Sequence, residues 1–153
     1  MKNLIKLTDE NKSILLPEIL EIIRITMEEE EYRFAQKIFS IDSCLDQRTV
    51  YLYRQSEKNI ALVGFVEDLE ENCWLSFFAV LPCYRNGGLG SKLLEYLLSD
   101  VKARGFKKIF VQTYDTKIYE SAVFLYRKNG FVDAGYMEHF YDNKKILYLY
   151  KNL

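Results

Sequence analysis

Apolar residues recur along this chain with two periods, and the switches between them outline its elements. Leu89, Leu93, Leu94, Leu97, Leu98 and Val101 return every three or four positions. That spacing is one face of a helix, and it predicts a helix from Gly88 to Arg104 with Gly105 as its C-terminal cap. Ile19, Leu20, Ile22, Ile23 and Met27 predict an earlier helix. Pro17 opens it, because a proline in the first turn lacks only an N–H that has no partner there. A weaker helical pattern covers residues 30–40, and another runs from Ile118 to Asn129 and ends at Gly130.

The remaining apolar runs read as strands. Residues 3–8 and Val50 to Tyr53 are short, and Ile60 to Val66 follows the polar turn Ser56 to Asn59. Trp74 to Leu81 is a strongly apolar run of eight that stops at Pro82, as expected of a central strand buried on both faces. Ile109 to Val111, Phe131 to Met137 and Lys145 to Tyr150 complete the set. The second half thus runs strand, helix, strand, helix, strand, strand. A helix between strands implies a parallel crossover. The expected fold class is α/β or α+β, built on one central mixed sheet.

Composition narrows the function more than the fold. With 153 residues, two prolines, seven glycines and no repeat or linker, the chain is expected to be a single domain over residues 1–153. A net charge of −1 gives no electrostatic reason to expect nucleic acid. No apolar run reaches the roughly 20 residues that cross a bilayer, and residues 1–4 show no signal-peptide pattern. Cys44, Cys73 and Cys83 are odd in number and lack CxxC spacing. Neither a disulfide framework nor a zinc site is therefore expected, and the cytoplasm is the natural setting.

The densest chemical signal is Arg85-Asn86-Gly87-Gly88-Leu89-Gly90-Ser91, after the apolar strand and at the start of the clearest helix. Glycines there let backbone approach a ligand closely. The first amides of a helix lack internal acceptors, and with the helix dipole they make an anion site. Arg85 can add a charge-assisted bond to a phosphate. A turn that merely joins strand to helix is the plainer alternative, but its place between a buried strand and a long amphipathic helix favours the anion site. The order of residues fits neither the dinucleotide GxGxxG motif nor a P-loop.

Arg85-x-x-Gly88-x-Gly90 instead resembles the pyrophosphate-binding Arg/Gln-x-x-Gly-x-Gly/Ala motif of the GNAT superfamily of N-acetyltransferases. Phe77 to Arg85 looks like that family's fourth strand and its exit. Ala122 to Phe131 resembles its next-to-last helix, where a Leu-Tyr pair precedes Gly-Phe. The specific resemblance covers residues 75–131. It implies a mixed, mostly antiparallel sheet of about six or seven strands flanked by about four helices. It further implies acetyl transfer from acetyl-CoA to a primary amine by direct attack in a ternary complex, with no metal.

Residue by residue, the resemblance implies that backbone groups of Phe78 and Val80 pair with the pantetheine arm, like an added strand. The backbone there would also steady the thioester oxygen. Arg85 and the amides of Asn86, Gly87, Gly88, Leu89, Gly90 and Ser91 would hold the pyrophosphate. Tyr126 would protonate the departing thiolate. Seven residues earlier, where the family often has Asn, this chain has Tyr119. Glu67 is the first choice for a base that deprotonates the amine, and His139, the sole histidine, is another, against the plainer readings of a solvated acidic turn and a surface or packing histidine. The acidic run Glu28 to Glu31, with Tyr32 and Phe34, could attract a cationic amine or simply favour a helix N-terminus. The expected partner is a small-molecule or peptide amine, and the aromatic C-terminal strand with Tyr148 and Tyr150 makes a homodimer a candidate. The competing reading is a non-catalytic acetyl-CoA sensor or protein-interaction module.

Overall fold

A computed structural model describes residues 2–41, 45–141 and 143–153, with the backbone alone for residues 139–141. In chain order the elements are β1 (Leu4–Lys6), α1 (Asp9–Thr26), α2 (Glu29–Phe39), β2 (Arg48–Gln55), β3 (Lys58–Glu67) and β4 (Asn72–Val80). A 3-10 turn (Pro82–Tyr84) then precedes α3 (Leu89–Ala103), β5 (Lys108–Tyr114), α4 (Glu120–Lys128), β6 (Val132–Tyr141) and β7 (Lys144–Asn152). The strands form one seven-stranded sheet in the order β1-β2-β3-β4-β5-β7-β6, flanked by the four α-helices. β4 and β5 run parallel, and the β1–β2, β2–β3, β5–β7 and β6–β7 pairs run antiparallel. This is the mixed α/β sheet that the patterning implied, with the mostly antiparallel pairing and the four helices that the family resemblance implied.

The chain clusters into two compact units. The first comprises the residues up to Val66 together with Ser76–Leu97. Its core joins Leu15, Ile19, Ile22 and Ile23 of α1 and Phe39 of α2 to Val50, Leu52, Ile60, Leu62, Phe77, Ala79 and Leu81. Helix α1 begins at Asp9, not at Pro17. Asn11 Oδ1 accepts the Thr8 amide at 2.8 Å, and Asp9 and Glu10 place negative charge on the first turn. This cap starts the helix two turns before the proline, and Pro17 lies in its interior, where it cannot donate to the previous turn. The turn between β2 and β3 is tighter than expected, since Gln55 pairs with Lys58. Ser56 and Glu57 both have positive φ (46° and 64°), as a two-residue hairpin turn requires without using glycine.

Strand β4 departs from the reading of a strand buried on both faces. Cys73, Phe77 and Ala79 are buried, while Trp74, Leu75, Ser76, Phe78 and Val80 remain partly exposed. The alternation is that of a strand with one covered face, because apolar content alone does not tell one covered face from two.

The second unit comprises Glu67–Leu75 and Leu98–Leu153. Asn72, Cys73 and Trp74 pair with Lys108, Ile109 and Phe110. β5 is longer than its apolar run suggested, because β7 pairs with it from Lys108↔Asn152 to Tyr114↔Ile146. Trp74 stacks on Phe110 with centroids 5.0 Å apart, and Phe110 meets Tyr150 at 6.3 Å. Both helices of this region end in the same way. After α3 the Phe106 amide donates to Val101 O and the Gly105 amide to Lys102 O, with Gly105 at φ 92°. After α4 the Phe131 amide donates to Tyr126 O and the Gly130 amide to Arg127 O, with Gly130 at φ 82°. These paired bonds satisfy carbonyls that a helix end otherwise leaves open.

Candidate functional site

In the first unit, the chain leaves β4 through Leu81 and the turn Pro82–Tyr84 and enters α3 at Leu89. The Tyr84 amide donates to Leu81 O and the Arg85 amide to Pro82 O. Among the described residues, none of the next six amides, Asn86 to Ser91, donates to a backbone carbonyl. The Lys92 amide, bonded to Gly88 O at 3.1 Å, is the first to be satisfied. Asn86 and Gly88 are left-handed (φ 65° and 76°), which curls this stretch of backbone before the helix. A Cβ at Gly87 or Gly88 would meet nothing within 4 Å, and Arg85 to Gly88 are exposed. The loop therefore presents a row of donors at a positive helix end, with open space over two glycines. Arg85 Nε donates to Val80 O at 2.9 Å, which holds its guanidinium beside the loop and ties it to the end of β4.

Just upstream, Phe77 has φ 55° inside β4. A left-handed conformation at a bulky residue costs about 1–3 kcal/mol and persists only where the surroundings enforce it. Phe77 is followed by Phe78 and Val80, both half-buried. Sequence reading missed Phe77, because no residue type announces a left-handed phenylalanine.

The second unit holds Tyr126, Tyr119 and Glu67. Tyr126 is buried (4% exposed) in α4, its ring 5.6 Å from that of Phe131. Burial pushes its phenol above the ordinary tyrosine range, so the hydroxyl keeps its proton. Tyr119 occupies the N-cap position of α4 without a side-chain capping bond and packs against Tyr114 with centroids 6.0 Å apart. Glu67 is exposed at the end of β3. Burial, with a smaller contribution from the Glu67 charge, pushes the Cys73 thiol up to about 12, which makes it inert at neutral pH. Cys83 is exposed, whereas Cys44 lies outside the described residues. The side chain of His139 also lies outside them. Among the described residues no three His, Cys, Asp or Glu side chains converge as metal ligands, and no helix is long and apolar enough to cross a membrane.

A strand, a curled glycine loop whose amides lack backbone acceptors and a long helix thus follow one another in the first unit. The sequence profile of the acetyltransferase (GNAT) family matches residues 16–131, which include this loop and Tyr126. The chain belongs to the GNAT acetyltransferase family. Among curated proteins, this GNAT chain is 28% identical over 93 residues to the [ribosomal protein bS18]-alanine N-acetyltransferase of Haemophilus influenzae. The alignment spans 60% of this chain and 62% of that relative. Among solved structures, a GNAT-family acetyltransferase from Desulfovibrio desulfuricans superimposes with a TM-score of 0.79 at 18% identity, covering 97% of each chain. A Bacillus subtilis acetyltransferase solved in complex with CoA gives a TM-score of 0.65 at 18% identity, covering 74% of this chain and 82% of that one. These structural likenesses establish the GNAT fold.

Proposed function

We propose that this protein transfers an acetyl group from acetyl-coenzyme A to a primary amine. The observation that carries the proposal is the run of six amides, Asn86 to Ser91, without backbone acceptors at the start of α3, inside the motif that GNAT enzymes use for pyrophosphate. The pyrophosphate would take those amides, with the free Nη groups of Arg85 adding charge. The pantetheine arm would lie along β4 at Phe78 and Val80 as an added strand.

In the reaction, the amine nitrogen attacks the thioester carbonyl, the C–N bond forms and the C–S bond breaks. The backbone near Phe78 steadies the oxygen as charge develops. Tyr126 donates its proton to the departing sulfur, a role suited to a phenol that burial keeps protonated. Glu67 takes the proton lost by the amine. This scheme needs neither a metal nor a covalent enzyme intermediate. The named activity of the Haemophilus relative makes an alanine-bearing peptide the first acceptor to try, beside small amines. A reducing cytoplasm suits the free thiols of Cys73 and Cys83.

Calorimetric titration with acetyl-coenzyme A tests the reading. Saturable binding that Arg85→Ala weakens is the expected result, followed by acceptor-dependent thiol release. A folded protein that binds no acetyl-coenzyme A at millimolar concentration would overturn it.

A further inference from the structure

The left-handed turn in β4 is surrounded on several sides within the first unit. The Phe77 ring is only 8% exposed and stacks on Phe39 with centroids 5.7 Å apart at 29°. Phe34 packs against it at 6.2 Å and 43°, and the Arg48 guanidinium lies 5.7 Å from its centroid. Arg48 Nη1 also donates to the hydroxyl of Ser76, the residue before the turn. Behind that peptide, Gly64 of β3 lets the chains close. A Cβ there would stand 3.0 Å from Ser76 O and 2.5 Å from Thr49 O. Phe77 itself pays the backbone cost of φ 55°, yet a glycine would have adopted that conformation freely. A ring held by two aromatic neighbours and a cation supplies what glycine lacks, a fixed direction for the peptides that follow.

We propose that Phe77 is a positioning residue for the acyl donor. The clamp of Phe39, Phe34 and Arg48 around its ring holds the turn that sets the direction of the Phe78 to Val80 peptide groups. This inference rests on the acetyl-coenzyme A reading, in which those groups receive the pantetheine arm. It separates two contributions to affinity, since the loop Arg85 to Ser91 takes the pyrophosphate and the clamp governs the arm alone.

The test is a pair of calorimetric titrations, one with acetyl-coenzyme A and one with adenosine 3′-phosphate 5′-diphosphate, which is coenzyme A without its arm. Phe77→Leu keeps apolar volume and removes the ring stack. It is expected to weaken acetyl-coenzyme A about tenfold, or 1.4 kcal/mol, and to leave the armless ligand unchanged. Phe77→Tyr, which keeps the ring, is expected to restore the difference. Phe34→Ala removes a half-exposed clamp member and is expected to act in the same direction. Equal weakening of both ligands, or unchanged acetyl-coenzyme A affinity in a folded Phe77→Leu protein, would overturn the clamp. If Phe77→Leu does not fold, an unchanged difference between the ligands in Phe34→Ala would overturn it instead. Wild-type protein that binds neither ligand would overturn the acetyl-coenzyme A reading, and the clamp with it.

Discussion

The ring of Tyr126 rests 5.6 Å from that of Phe131, across the glycine that ends α4. The Phe131 amide donates to Tyr126 O, so the two residues close the helix by backbone and side chain together. Tyr126 is thus a structural anchor as well as the proposed acid, and the two roles reside in different atoms.

That division makes a first prediction. Tyr126→Phe keeps the ring and is expected to leave the melting temperature within a few degrees of wild type, while lowering acetyl transfer by about 100-fold or more. Tyr126→Ala removes the ring and is expected to cost about 3 kcal/mol of stability. Thermal melts and thiol-release rates check both, and an unaltered rate in Tyr126→Phe removes the hydroxyl from the mechanism. The raised phenol also has a signed consequence. A folded pKa above the unfolded value gives stability that is full below about pH 10 and is lost as pH rises beyond it. Tyr126→Phe should flatten that alkaline loss.

Gly87 and Gly88 should behave differently when a methyl group is added. Both have open space, but only Gly88 has positive φ. Gly88→Ala is expected to cost about 1 kcal/mol from backbone strain. Gly87→Ala should be near neutral for folding, so any loss of coenzyme A affinity in that variant reports close approach of the ligand to the backbone. Denaturant unfolding and calorimetry together separate the two effects.

Gly64→Ala should be more damaging than either. Its Cβ would meet two backbone oxygens, which no rotamer change can move aside. A loss of about 1–3 kcal/mol is expected from overpacking. A chemical denaturation midpoint equal to wild type would show that β2, β3 and β4 part without penalty.

Trp74, the single tryptophan, gives an optical handle on acid pH. Its indole N–H donates to Asp68 Oδ2 at 2.7 Å, and the Leu69 amide donates to Oδ1 at 2.8 Å. These bonds, the indole first, hold the Asp68 carboxyl below its usual range. A depressed folded pKa gives stability that is present above the ordinary aspartate value and is lost as pH falls through the folded one. Tryptophan emission should therefore change at a pH below the ordinary aspartate titration, and Asp68→Asn should abolish that step.

Much of this was legible in one dimension. The spacing of Leu89 to Val101 located α3, and Gly105 and Gly130 marked helix ends where the chain turns left-handed. The loop Arg85 to Ser91 could be read as a strand-to-helix turn because its strand, its glycines and its helix start follow one another directly in sequence. Pro17 misled, because a proline allows a helix start without demanding one, and the bond between Asn11 and Thr8 settled the start elsewhere. The turn at Phe77 left no trace, since the residues packed around its ring, Phe39, Phe34 and Arg48, are distant in sequence.

By itself the sequence determined the class of fold, the C-terminal ends of α3 and α4 and the glycine loop that opens α3, because each depends on residues within a few positions of one another. The tertiary structure alone decided the strand order, the burial of Tyr126 and the turn at Phe77. Those depend on which side chains meet after the chain has folded, and contact between distant positions leaves no period in the order of residues.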